Sequence, residues 1–504
     1  MNRQSKIIAL FAFLFSILLL VGLFSEAKDP DSFLRKQFRS LKVFKNDHLP
    51  KYSERDLDQK LYELAKNIKI EAFKTFEPFI NYENVDLKLK LEQSRYQKEI
   101  SDGSKVEVIN YKANFLNLVK RAPEKGPAYI DFHSDKIIIA QENGLFFSVN
   151  RKEVKSEQEE IFVTEVPSNI HSFTRYYDFF GSGAFGLKDI LIHQNKIFVS
   201  IINERKKDCF NVSILQADIL SNFEFSELYN PDDCVKLKWS SHNDNKFNSA
   251  NNKEFNAHQS GGRIVALNDN TLIISIGDFR DRSLAQNLQN KFGKIITINI
   301  DSGKTEIISL GVRNSQGLYF SRKHQDLFHT EHGPNGGDEL NFQSILKTKN
   351  PQNFGWPISS YGAHYGYGGY IESENGYELK ERRKADIYKE FPLYKSHTEH
   401  GFNEPLIYFS PSIGISQIIE YSGKHQKNEN NRKFVFGSMG YTTNRTSKDL
   451  SLYFLTLDKG LNIKFLDQLE INGRIRDLIV DEKNYDIFFS DDLNGSIGVI
   501  KLYQ

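Results

Sequence analysis

The sequence predicts an all-β fold, a six-bladed β-propeller, preceded by an N-terminal membrane anchor or signal and a partly helical stalk. Three observations carry this. Beyond Gly126 the chain breaks into short β-rich runs joined by polar turns. One pattern, strand then polar turn then strand, returns at Ile130–Ala140, Leu191–Ser200, Val265–Ile276, Leu318–Thr330 and Ile479–Ser490, and more weakly at Ile418–Gly437, where the polar stretch His425–Lys433 interrupts it. Six hairpins over some 375 residues give about 60 residues per unit, which suits four-stranded blades with long connections. A pair of β-sandwiches or a barrel is the alternative, and neither readily explains a hairpin that recurs six times.

The chain begins with Arg3 and Lys6, an unbroken apolar run from Ile7 to Phe24, and then Ser25-Glu26-Ala27, a small-x-small cleavage pattern. The run of 18 residues is long for a signal peptide and just reaches spanning length, so residues 1–27 are read as a signal peptide or a signal anchor. Export is expected, to the periplasm or to the periplasmic side of the inner membrane, with membrane contact through residues 7–24 if the run is retained. Lys28, Arg35, Lys36 and Arg39 follow it closely and weaken the charge rule for an outward domain, although large domains translocate despite flanking charge.

Residues 28–125 are charge-rich and are read as a stalk or cap, helical over Asp56–Phe76, where Leu57, Leu61, Leu64 and Ile68 recur at spacings of three and four. Residues 126–504 are read as the propeller. The whole chain balances 66 Lys and Arg against 65 Asp and Glu, so there is no field to gather polyanions, and nucleic acid is not expected as a partner. Cys209 and Cys234 are the only cysteines; in an exported chain they either close a disulfide or are two unrelated buried thiols.

Polar, glycine-rich loops between Ala257 and Pro357 carry the chemistry. In order they are His258-Gln259-Ser260-Gly261-Gly262-Arg263, Gly277-Asp278, Gly311-Val312-Arg313-Asn314-Ser315-Gln316-Gly317, Glu331-His332-Gly333-Pro334-Asn335-Gly336-Gly337-Asp338-Glu339-Leu340-Asn341, and Asn353-Phe354-Gly355-Trp356-Pro357. Near the C-terminus, Asn472-Gly473-Arg474-Ile475-Arg476-Asp477 adds two arginines that alternation places on one side of a strand. In a propeller such loops can converge at one end of the axial channel.

In order and spacing these segments resemble the signatures of soluble, pyrroloquinoline-quinone-dependent aldose dehydrogenases of the glucose/sorbosone dehydrogenase family. The resemblance is strongest in GGDELN and NFGWP, extends weakly from Gly126 to the C-terminus, and leaves the stalk uncovered. It implies that His258 takes the proton of a sugar hydroxyl while hydride passes to the quinone. Arg313 would be the fixed cation where negative charge develops on the quinone oxygen, Asn314 a hydrogen-bond donor to it, and Gln316 a supporting group around the cofactor. Arg474 and Arg476 would match the cofactor carboxylates. The carbonyls of Gly333 and Pro334 would face a calcium ion that also grips the quinone, and the Asp338 and Glu339 carboxylates would serve calcium at a second ion, a plain acidic turn being the alternative. Trp356 and Tyr361 are read as packing.

The pattern departs from the family in three places. The lysine expected after the strand end Phe436-Gly437-Ser438-Met439-Gly440 is replaced by an insertion, Tyr441–Asp449, in which Arg445 or Lys448 could supply a cation. A glutamine before the Gly-Leu of the second blade is Ala184, and an acid before the catalytic histidine is Ala257. A charged insertion, Glu372–His400, lies on the same rim. Lost hydrogen-bonding groups weaken discrimination at a polar site, so the substrate is expected to be an aldose-type sugar without glucose specificity. Two readings follow: an active quinoprotein with an unnamed electron acceptor, or a calcium-containing propeller that binds a glycan or protein without turnover.

Overall fold

The computed structural model describes residues 88–503 except 92–94, 114–127, 174–184, 207–208, 221, 237–255, 335, 346–349, 364–369, 374–375, 380–392, 423–430, 444–445, 482–484 and 493–494. The apolar run of residues 7–24 and the helical stretch Asp56–Phe76 lie outside the described residues. Among those described, no helix is long and apolar enough to cross a membrane.

The fold is all-β and propeller-like, built from mainly antiparallel sheets that each contain one of the hairpins read from the sequence. The first sheet starts with Ala128–His133 and Lys136–Gln141, the second with Leu187–His193 and Lys196–Lys206, the third with Gly261–Asn268 and Thr271–Ile276. The fourth starts with Ser315–Ser321 and Asp326–Glu331, the fifth with Ile415–Tyr421 and Arg432–Ser438, and the last with Ile475–Asp481 and Asp486–Asp491. The opening strands lie side by side in chain order, and that of the last sheet packs against that of the first.

Alternation within these strands supplies two faces to bury, so the core is divided among the spaces between sheets. Ile138, Phe146, Ile197 and Val199 fill the space between the first and second sheets, and Phe198, Val212, Ile274 and Ile296 that between the second and third. Phe328, Ile418, Phe434 and Leu455 join the fourth to the fifth, while Val435, Leu452, Leu478 and Phe489 join the fifth to the last. Each such side chain contributes roughly 1.5–3 kcal/mol on leaving water.

The last sheet is completed from the other end of the chain. Lys105–Ala113 pairs antiparallel with Ser496–Tyr503, from Lys105 opposite Tyr503 to Lys112 opposite Ser496, and Lys88–Leu91 and Tyr96–Glu99 add to it. Lys88–Leu91, Tyr96–Glu99 and Lys105–Ala113 are thus strands of this sheet, where the sequence reading places them in the stalk. Val106, Val108, Ile109 and Tyr111 are fully buried there, which the surrounding charge had masked.

One buried cation ties the opening strands together. Arg263 lies 3.1 Å from Asp189 of the second sheet, bonds Asp477 of the last, and stacks 5.4 Å from the Tyr129 ring of the first. The same two carboxylates accept the Ile264 and Ile130 amides at 2.7 and 2.9 Å. Cys209 and Cys234 form a disulfide with Cα atoms 5.2 Å apart, fastening the short strand Val235–Lys236 to Cys209–Asp218.

Candidate functional site

The predicted residues cluster where the opening strands begin. His258 sits on one turn of 3₁₀ helix, Ala257–Gln259, just before the strand Gly261–Asn268, and its amide is capped by the Asn256 side chain at 2.9 Å. Ala257, Gln259 and Ser260 are buried while His258 is exposed, so a fixed backbone presents the imidazole outward. The surrounding protein, then Lys188, then Arg476, push its pKa down to about 4, leaving the ring neutral and proton-accepting near neutral pH.

A chain of hydrogen bonds runs from this turn across to the C-terminal sheet. The Gly261 amide donates to Asn314 Oδ1 at 3.1 Å, and Gln316 Nε2 donates to the same oxygen at 2.9 Å. Gln316 Oε1 accepts from Arg476 Nη1 at 3.3 Å, and Arg476 grips Asp492 through Nε at 3.0 Å and Nη2 at 2.7 Å. Arg474 holds the other oxygen of Asp492 at 2.9 Å and donates to the Met439 carbonyl at 2.7 Å. Arg474, just before the strand Ile475–Asp481, and Arg476, where that strand's register shifts, both bond Asp492, the shared carboxylate that keeps two like charges together.

Arg313 is buried next to this chain. Its amide donates to the Glu331 carboxylate, its guanidinium to the His332 carbonyl at 2.5 Å, and its Cζ lies 5.3 Å from the Trp356 ring. Trp356 in turn donates to Asp278 at 2.8 Å, so Asn353-Phe354-Gly355-Trp356-Pro357 packs behind the arginine, in keeping with a packing role. Tyr361 stacks on Tyr408 at 4.0 Å, also as packing.

The glycine-rich loop divides its roles differently from a simple acidic cation site. Asp338 accepts amides from Gly333 at 3.1 Å and from Ile413, Gly414 and Ile415 at 3.1, 2.7 and 3.2 Å, which anchors the loop to the start of the fifth sheet. Glu339 pairs with buried His397 at 3.3 Å and accepts from Asn341 at 3.1 Å, and His397 lies 2.7 Å from the Ser359 hydroxyl. Among the described residues no group of three or more His, Cys, Asp or Glu is disposed to hold a metal ion. Among the same residues the carbonyls of Gly333 and Pro334 accept no hydrogen bond, which leaves two oxygens for a cation.

Sequence reasoning missed three participants: Asp492, Lys188 and Glu142, the last two joined at 2.7 Å. Ala257 is buried and its side chain has no polar atom to offer. Ala184, Arg445 and the side chain of Lys448 lie outside the described residues; the insertion that holds the last two forms a small hairpin of Tyr441–Thr443 and Thr446–Lys448.

Residues 235–499 match the family model described as Glucose / Sorbosone dehydrogenase, more than half of the chain. The chain belongs to the glucose/sorbosone dehydrogenase family. An uncharacterized protein, slr1608, of Synechocystis is 27% identical over 260 residues, 47% of this chain and 54% of that protein. The aldose sugar dehydrogenase YliI of Escherichia coli is 28% identical over 176 residues, 32% of this chain and 40% of that protein. The match thus spans about half the length, or less, of these curated relatives. The soluble aldose sugar dehydrogenase of E. coli in its apo form superposes with a TM-score of 0.52 at 19% identity, covering 75% of this chain and 97% of that one. A glucose dehydrogenase structure gives 0.51 at 18% identity, over 74% and 96%. These likenesses establish the fold, and the donor set just described fits an anionic, carboxylate-bearing quinone: two paired arginines, a third buried arginine and an amide between them.

Proposed function

We propose that this family member oxidises an aldose-type sugar with pyrroloquinoline quinone as resident cofactor, on a six-bladed propeller whose blades are the sheets described above, and without glucose specificity. The observation that carries this reading is the unbroken link from Gly261 through Asn314, Gln316 and Arg476 to Asp492 and Arg474, which holds hydrogen-bond donors and cations beside a neutral, outward-facing imidazole. When bound, the quinone supplies the hydride acceptor. His258 takes the proton of the sugar hydroxyl that becomes the carbonyl, and its low pKa keeps that position vacant. Arg313 and Asn314 stabilise negative charge at the acceptor end, and Arg474 with Arg476 orients the cofactor carboxylates. Gly333 and Pro334 would lend their carbonyls to calcium. A separate acceptor must remove the electrons, and residues 1–27 would carry the domain to the periplasm or hold it at the membrane.

Reconstitution tests this. The purified protein with calcium and pyrroloquinoline quinone should change the cofactor absorbance and reduce dye with several aldoses. A protein that takes up no quinone would leave the non-catalytic binding module instead.

A further inference from the structure

The buried ion pair of Lys188 and Glu142 is given no ligand in the reading above and lies outside the residues that match the family model. Lys188 is the second residue of the opening strand Leu187–His193, and Glu142 directly follows Lys136–Gln141. They are 7% and 6% exposed, and Nζ lies 2.7 Å from Oε1. A buried ion pair is often no more stable than apolar residues of the same size, so folding alone does not account for a charge here.

The surroundings are shaped to that lysine. Gly262 has φ +108°, and a Cβ there would sit 2.5 Å from the Lys188 Cβ, so the bare backbone after His258 makes room for the Lys188 stem. Lys188 is the charge that acts most strongly on His258, ahead of Arg476. An ammonium has three donors, and the bond to Glu142 is the one Lys188 makes among the described residues. Lys188 pairs with Glu142, and Arg474 and Arg476 share Asp492, with Asp491 accepting the Arg474 amide.

We propose that Lys188 is an anion-binding residue of this site: clamped by Glu142, its ammonium receives a carboxylate of the ligand seated beside His258 and Arg476, a cation supplied from the second sheet where the sequence lacks the family lysine after Met439. The carboxylate belongs either to the quinone, in which case the inference rests on the function proposed above, or to an acidic sugar such as an aldohexuronate.

The full chain is compared with Lys188→Arg and with the double variant Lys188→Met/Glu142→Gln, which removes the pair without leaving a bare buried carboxylate. Pyrroloquinoline quinone with calcium is followed by quenching of tryptophan fluorescence, and glucuronate against glucose by calorimetry on cofactor-free protein. The double variant should lose at least tenfold in affinity for one of the two anions, and Lys188→Arg should retain it. Loss for the quinone assigns the cofactor's carboxylate; loss for glucuronate with quinone uptake intact assigns the sugar's. Wild-type affinity of the double variant for both overturns the proposal. If the wild-type chain takes up no quinone, the proposed cofactor falls separately and glucuronate decides for Lys188: binding lost in the double variant supports it, and no binding to the wild type overturns it.

Discussion

His258 should titrate far below an ordinary imidazole, and this can be followed without any cofactor. Burial by its surroundings, followed by Lys188 and Arg476, holds its pKa at about 4, against about 6.5 for a free imidazole. All three causes disfavour the charged ring, so the sign is downward throughout. At pH 5.5 an imidazole of pKa about 4 is about 97% neutral, whereas one at ~6.5 is about 9% neutral. The proton-accepting form is therefore about tenfold more abundant at that pH than in an unperturbed histidine. Because His258 is reached by solvent, salt should screen the two cations and move the midpoint upward toward the ordinary value. The assay is the ring Cε1–H signal of protein labelled with ¹³C-histidine, followed from about pH 3 to 8, with His258→Gln identifying the resonance. A His258 signal with its midpoint between about 6 and 7 would refute the argument that protein and cations together keep this base unprotonated.

Three further outcomes follow from features away from the imidazole. Arg263→Met leaves Asp189 and Asp477 buried without their shared cation and should cost about 3–5 kcal/mol, read as a lowered denaturant midpoint; a loss below about 1 kcal/mol would mean that the arginine is not the tie it looks to be. Replacing both cysteines by serine frees a loop with a sequence separation of 25 and should remove about 3.5 kcal/mol, so the double variant and reducing agent should lower the unfolding temperature alike. Gly262→Ala demands φ +108° of an alanine and drives a methyl to 2.5 Å from the Lys188 Cβ; we expect a loss of roughly 1–3 kcal/mol and an upward shift of the His258 midpoint as Lys188 is displaced, and an unchanged midpoint would argue against their closeness.

Much of the framework is legible in the sequence because the first two strands of each sheet join strong alternation to an abrupt polar turn. Ser134, Gln194, Gln325 and Tyr485 take left-handed φ values of 55°, 56°, 55° and 61° at four of those turns, positions that the polar dipeptides mark without revealing the geometry. Outer strands are harder to see: Ile463–Glu470 is exposed along most of its length, so no alternation of burial stands behind it. Lys105–Ala113 shows alternation of its own at Val106 and Val108, but it stands within charged sequence far from its partner, and distance along the chain hides the pairing. Within the site, His258, Arg313, Asn314, Gln316, Arg474 and Arg476 announce themselves because each belongs to a motif. Lys188 reads as the end of a strand, Glu142 and Asp492 as members of turns, and their meaning appears only when separate sheets meet. Asp338 shows the converse: an acid in a glycine-rich loop suggests a cation, yet residue type does not reveal that four amides from two segments already converge on it.

The pairing of Lys105–Ala113 with Ser496–Tyr503 has a consequence for how the molecule is made. A strand synthesised early must wait, one edge unpaired, until nearly four hundred later residues have emerged and the eight residues Ser496–Tyr503 take their place beside it. Until then the first sheet presents the side that should lie against Phe488, Ile497 and Val499 to solvent. Assembly is therefore expected to finish late, after translation, and a chain cut short before Ser496 should keep the contact of Ile475–Asp481 with the first sheet but leave Lys105–Ala113 an exposed, sticky edge.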